Sequence, residues 1–127
     1  MGVIQDIVTM LEAGGHGTFG TTIFVSTFVD AAPAAAVMVK VYGGSPDDLI
    51  GYEYPKFQVQ VRNPSQLAAQ TEIEAIRATL TKLNTTVNDT RWLRCRALHP
   101  PGQLGQEVVK EIPLWKTYCD FEVMKKL

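Results

Sequence analysis

An α+β fold follows from three patterns in this 127-residue chain. Phe57, Val59 and Val61 alternate with Lys56, Gln58, Gln60 and Arg62, the period of a strand wet on one face and buried on the other. Ala69, Ile73, Ile76, Leu80 and Leu83 then recur at steps of four and three, which lays one apolar stripe along a helix of about five turns ending near Asn84. Near the C-terminus Trp115, Cys119, Phe121 and Val123 oppose Lys116, Tyr118, Asp120 and Glu122, again with a period of two.

Taken in order, residues 3 to 13 place Ile4, Ile7, Val8 and Leu11 at helical spacing, and Gly14-Gly15 supplies a left-handed stop. Residues 18 to 29 are rich in Thr, Ile, Val and Phe and predict a strand apolar on both faces, hence central or covered by a partner. Asp30-Ala31-Ala32-Pro33 reads as a turn, after which Val37, Val39 and Val41 alternate with Met38, Lys40 and Tyr42 in a second strand. A glycine-rich turn, Gly43-Gly44-Ser45-Pro46-Asp47-Asp48, and an aromatic segment, Tyr52-Glu53-Tyr54-Pro55, lead into the third.

Asn63 is placed to cap the long helix, with Pro64 as its first residue. Beyond the helix, residues 85 to 88 suit a short strand that turns at Asn88-Asp89 into residues 91 to 98, where Leu93, Cys95 and Ala97 oppose Trp92, Arg94 and Arg96. The run His99 to Gly105 reads as a loop, because two prolines lack donors and the glycines relax the backbone. The last strand spans residues 114 to 124. The expected order is helix, three strands, helix, then two or three strands, in one domain over residues 1 to 127.

Composition narrows the function classes. With 46% hydrophobic and 20% charged residues and no long apolar run, the chain reads as soluble and globular. Its start lacks the basic and apolar segments of a secretory signal, so a cytosolic site of synthesis and assembly is expected. A net charge of −1 gives no global attraction to nucleic acid. In a reducing compartment Cys95 and Cys119, both at inward-facing positions, are expected as buried free thiols, and the Asn84-Thr85-Thr86 and Asn88-Asp89-Thr90 sequons as turn chemistry.

The catalytic motifs are weak. Gly15-His16-Gly17-Thr18-Phe19-Gly20 fits G-x-G-x-x-G, but it follows a helix and precedes a strand, so no helix N-terminus meets a phosphate. His16 and His99 lie apart without zinc-ligand spacing, Ser45 and Ser65 lack a nucleophile elbow, and Asp47-Asp48 sits where turn formers collect. No enzyme activity, cofactor or metal is expected. More promising is a possible basic stripe of Lys40, Lys56, Arg62, Arg94, Arg96 and Lys116 on the wet faces of the strands. Tyr42, Tyr52 and Tyr54 would serve as interface anchors around the glycine-rich loop.

Gly43-Gly44-Ser45-Pro46-Asp47, then Tyr54-Pro55-Lys56-Phe57-Gln58-Val59-Gln60-Val61-Arg62, a long helix, and Thr90-Arg91-Trp92-Leu93 resemble the small tail terminator proteins of long-tailed bacteriophages. So does the closing segment from Trp115 to Val123. The resemblance implies a mixed or mainly antiparallel sheet packed against one long and one short helix. It further implies a homo-oligomeric ring, six-fold, that caps the tail tube, stops its polymerisation and joins it to the head. The implied partners are other copies of the chain, the tube protein and a head-completion or connector protein, with DNA only in transit, no membrane, and a place in the virion tail or neck.

Three groups are the candidate contacts: Gly43, Gly44, Asp47, Asp48, Tyr52 and Tyr54 around the 43 to 54 loop; Arg94 and Arg96 on the wet face; and Pro100, Pro101 and Leu104 in the 99 to 112 loop. Two rival readings are a head-completion or connector protein of the neck and, from another class, a small nucleotide-binding domain or enzyme.

Overall fold

The computed structural model describes residues 2–28, 32–45 and 51–126. Its elements run α1 (Val3–Ala13), β1 (Ile23–Val25), β2 (Ala36–Ser45), β3 (Tyr52–Asn63), α2 (Gln66–Leu80), β4 (Lys82–Val87), β5 (Thr90–Ala97), β6 (Gly102–Val109) and β7 (Ile112–Lys126). The class is mixed α+β. Among the described residues seven strands share a sheet in the order β1-β2-β3-β7-β5-β4, with β6 beside β7; β1 and β2 pair in parallel and the other strand pairs are antiparallel.

Both helices pack on one face of this sheet. Ile7 and Leu11 of α1 and Ala69, Ile73, Ile76 and Leu80 of α2 meet Val39, Phe57, Val59, Phe121 and Val123 in one buried cluster. Phe57 and Phe121 stack across the β3–β7 pair with centroids 5.1 Å apart. One carboxyl enters this core: Asp6 is fully buried and accepts from Trp92 Nε1 at 3.3 Å and Asn88 Nδ2 at 3.1 Å, tying α1 to the β4–β5 hairpin. Such a group is tolerated inside only because it is hydrogen-bonded.

The opening helix ends as expected, although the left-handed residue is Gly15, with φ of +78°, and not Gly14. Gly14 is needed for a different reason, since a Cβ there would lie 2.8 Å from the Thr79 methyl on α2. His16, just beyond, is half-buried, its side chain 6% exposed and bonded through Nδ1 to Glu72 Oε1 and through Nε2 to Thr79 Oγ1, both at 2.7 Å. The G-x-G-x-x-G run is therefore a connection stapled to α2.

Several sequence expectations need correction. The long helix does not reach Asn84: Thr81 turns its hydroxyl onto Arg77 O at 2.7 Å, the chain leaves helical geometry there, and Leu83 stands 74% exposed in β4. The helix is capped by Ser65, whose hydroxyl accepts from Ala68 N at 3.2 Å, while Asn63 accepts from Ser65 N one step earlier. Of the two readings of residues 18 to 29, the central one is overturned, since β1 is three residues at the sheet edge; Thr18 O takes the amides of Thr21, Thr22 and Ile23 in a tight turn, which leaves Phe19 55% exposed. The predicted turn at residues 30 to 33 and the centre of the 43 to 54 loop, including Asp47 and Asp48, lie outside the described residues except for Ala32, Pro33 and the flanking strand ends.

Two corrections concern the second half. A register shift between Trp92 and Arg94 brings Trp92 and Cys95 both into the core and leaves Leu93 half-buried, which breaks the simple alternation. The run after His99 is a strand from Gly102 onward and not a loop. Its glycines mark a close approach and a bulge: a Cβ on Gly102 would lie 2.7 Å from the Tyr118 ring, and Gly105 has φ of +95° where the β6–β7 register slips. Cys95 and Cys119 are free and buried, as expected.

Candidate assembly surface

Opposite the helices, the sheet presents a polar face built in cross-strand rows. One row reads Gly43, Lys56, Glu122, Arg96, and the next Lys40, Gln58, Asp120. All six predicted basic residues are on this side by strand alternation, but the stripe is largely balanced by acids. Arg94 and Arg96 reach Glu122 Oε1 at 3.8 and 3.2 Å, and Lys116 pairs with Glu107 of β6. Arg62, expected to be wet, is only 4% exposed.

A polar ladder missed in the sequence crosses the centre of the face. Gln60 donates to Gln58 Oε1 at 2.7 Å, Gln58 donates to Asp120 Oδ1 at 3.1 Å, and His99 Nε2 lies 2.6 Å from Asp120 Oδ2. His99 Nδ1 also faces an acceptor, the Pro100 carbonyl, at 2.6 Å. The Asp120 side-chain hydrogen bond, then the Pro100 carbonyl, raise the His99 pKa above its usual value against the opposing pull of burial, while the Asp120 amide also donates to Nε2 at 3.3 Å. Tyr42 is raised too, by burial first and by the Asp120 charge second. The signal was partly available: alternation puts Gln58 and Gln60 on the polar face of β3 and Asp120 on the polar face of β7, while the β3–β7 register and the placement of His99 needed the fold.

The candidate contacts fall in three places. Gly43, Gly44, Tyr52 and Tyr54 lie at one end of the sheet, where Ser45 pairs with Tyr54 and Tyr52 with Lys126. Arg94 and Arg96 sit on the polar face beside that end. Pro100, Pro101 and Leu104 lie further along, at the entry to β6, where Gly102 pairs with Tyr118. These groups share a face and its rim but do not converge on a pocket. Among the described residues there is no group of three or more potential metal ligands, and no helix is long and apolar enough to cross a membrane.

At the opposite end, β6 and the first half of β7 form an arm turned by Lys110 and Glu111, both at positive φ. Leu104, Val108 and Ile112 on the arm are 46%, 68% and 46% exposed. Among the described residues the outer edge of β6 has no strand partner, so the hairpin presents apolar side chains beside open backbone groups.

The sequence profile described as "Bacteriophage tail terminator protein" matches residues 10–106 of this chain. The chain belongs to that family. It is accordingly a structural protein of the phage tail or neck, one that works in assembly with other phage proteins. The fold of this terminator-family chain is similar to that of a solved chain from the virion of a native gene transfer agent particle, with a TM-score of 0.65 and 14% identity over 98% of this chain and 95% of that one. A second solved chain, 17% identical over 96% of both, superposes with a TM-score of 0.48. No curated protein matches the sequence.

Proposed function

We propose that the chain is a tail terminator in the strict sense: identical copies close into a ring, six-fold, that caps the tail tube, halts addition of tube subunits and offers its other side to the head-completion protein. The observation that carries this reading, beside family membership, is the β6–β7 arm. It extends exposed apolar residues at one end of the sheet, while the candidate contacts around Gly43 and Tyr54 occupy the other. Two different patches on one subunit make a head-to-tail contact, and such contacts form rings when the rotation closes. A closed ring leaves no free end for growth. In this reading the chain is one domain, has no catalytic role, and touches DNA only as it passes through the lumen.

Electron microscopy of particles made without the protein separates this reading from its neighbour. Overlong tails support termination, and tails of normal length detached from unstable heads would assign the chain to the connector instead. Native mass spectrometry of the purified protein, alone and with tube protein, measures the ring directly.

A further inference from the structure

Strand β2 is paired along only part of its outer edge. β1 covers Val37–Val39, where Val37 N donates to Thr22 O and Ser26 N to Val39 O, both at 2.8 Å, and Ser26, with φ of +70°, then turns the chain off the sheet. Phe28 and Pro33 both contact Arg62, which is level with Ala36, so the chain leaves and regains the end of β2 away from Lys40. From Lys40 to Ser45 the outer edge of β2 has no strand partner among the described residues. By alternation Val41 follows Val37 and Val39 in turning its N–H and C=O outward. The open edge of β6 lies on the opposite flank of the sheet, and its unbroken run is Gly105–Val109. Because the two-residue turn at Lys110-Glu111 closes on the Val109–Ile112 pair, the backbone groups of Gln106 and Val108 point away from β7. β4 is a poorer docking edge, since it carries Lys82 and its ladder breaks at Asn84, with φ of +49°.

We infer that β6 of one copy adds as an antiparallel strand to the Lys40–Ser45 edge of β2 in the next copy, with Val108 opposite Val41. The chain sense is right. Every ladder from β2 through β3 and β7 to β6 is antiparallel, so β6 runs against β2, and a copy set alongside in the same orientation brings the two edges together in opposite directions. Lengths agree as well, because Gly105–Val109 fits the stretch of β2 that β1 leaves open. The faces match too. Val41 and Val108 both lie on the helix side, where Val108 is 68% exposed, and on the polar side Glu107 falls opposite Tyr42 with exposed Lys40 on the diagonal. Within one copy the edges cannot meet: Val109 and Lys40 each lie four residues from the Ala36–Arg62–Lys116 row in opposite directions, about 26 Å apart at about 3.3 Å per residue, with β3 and β7 between them. The inference rests on the ring reading and names the ladder that would join its subunits.

Crosslinking tests it. In this register Lys40 and Val109 form a non-hydrogen-bonded pair, whose Cα atoms come to about 4.5 Å, within disulfide range. Lys40→Cys with Val109→Cys, oxidised after assembly, should give a ladder of covalent multimers on a non-reducing gel, and each single variant should give none. Cys95 and Cys119 are buried and stay out of the reaction. Val108→Pro removes an N–H that β7 does not use, so it should raise the concentration needed for assembly at least tenfold in analytical ultracentrifugation and leave the melting temperature nearly unchanged. Where the cysteine pair fails to fold, the proline variant decides alone. Assembled protein that forms no crosslink, or wild-type assembly by Val108→Pro, overturns the inference and leaves the ring standing. Crosslinks in either single variant set like edges together and overturn it as well. A wild-type protein that stays monomeric even with tube protein overturns both the ladder and the ring.

Discussion

Replacing Asp6 by Ala should destabilise the fold by about 3 kcal/mol. The side chain is fully buried and holds two donors, Trp92 Nε1 at 3.3 Å and Asn88 Nδ2 at 3.1 Å. Trp92 is itself fully buried, so its N–H loses its partner and gains no water, a cost of about 1–3 kcal/mol. Asn88 still has Thr9 Oγ1 at 2.9 Å, so its loss is smaller, about 0.5–1 kcal/mol. Asp6 also sits in the first turn of α1, where a negative group contributes a further 0.3–1 kcal/mol or so. The sum corresponds to a fall in the folded-to-unfolded ratio of about a hundredfold and, for a domain this size, to a melting temperature lower by roughly 10 °C. Urea melts followed by far-ultraviolet circular dichroism give the number. Asp6→Asn, which keeps one acceptor, should lose about half as much. In a double-mutant cycle, Asp6→Ala and Trp92→Phe should couple by about 1–2 kcal/mol. A loss below about 1 kcal/mol for Asp6→Ala, or strict additivity in the cycle, would refute the network.

Other consequences are open to measurement. Because Asp120 raises the folded-state pKa of His99, that pair stabilises fully below the unfolded histidine value of about 6.5 and its contribution fades as pH rises through the folded value. The melting temperature of the wild type should therefore hold level against Asp120→Asn below about pH 6.5 and fall relative to it as pH rises above that value, and parallel curves would show that the pair contributes nothing. Burial pushes Cys95 up to about 12 and Cys119 to about 11, so neither should react with a disulfide reagent at pH 8 until the protein unfolds. Rapid native-state labelling of either would contradict their burial. Val108→Lys and Ile112→Lys, at exposed arm positions, should alter stability by no more than about 0.5 kcal/mol yet reduce assembly in native mass spectra. Unchanged assembly would remove the arm from the interface.

The sequence was most legible where periodicity met burial. Strand β3 and the face of α2 from Ala69 to Leu80 fall where alternation and helical spacing put them, since each must cover one side of a single core. The helix end was misplaced because Leu83 fits the helical stripe by spacing, whereas β4 pairing with β5 claims it for the sheet. Glycine misled twice, since Gly102 and Gly105 resemble loop residues by type but serve a tight contact and a bulge inside a strand. The basic residues were placed on the right face, but their acidic partners Glu107 and Glu122 come from other strands and only the register reveals them. Arg62 was read by alternation alone, and the segment carrying Phe28 covers it from outside the sheet pattern.

Strand β7 borders β3 along one edge and both β6 and β5 along the other. The β1–β2–β3 portion and the β4–β5 hairpin share no ladder of their own, so the last fifteen-residue strand is what welds them. During synthesis the sheet stays in two unjoined parts until β7 has been made, and non-local pairing of this kind slows closure. Shortening the chain from its C-terminus would therefore disconnect the sheet and not merely trim it. The timing also has a use: a sheet that closes only when β7 arrives presents no finished docking surface before then.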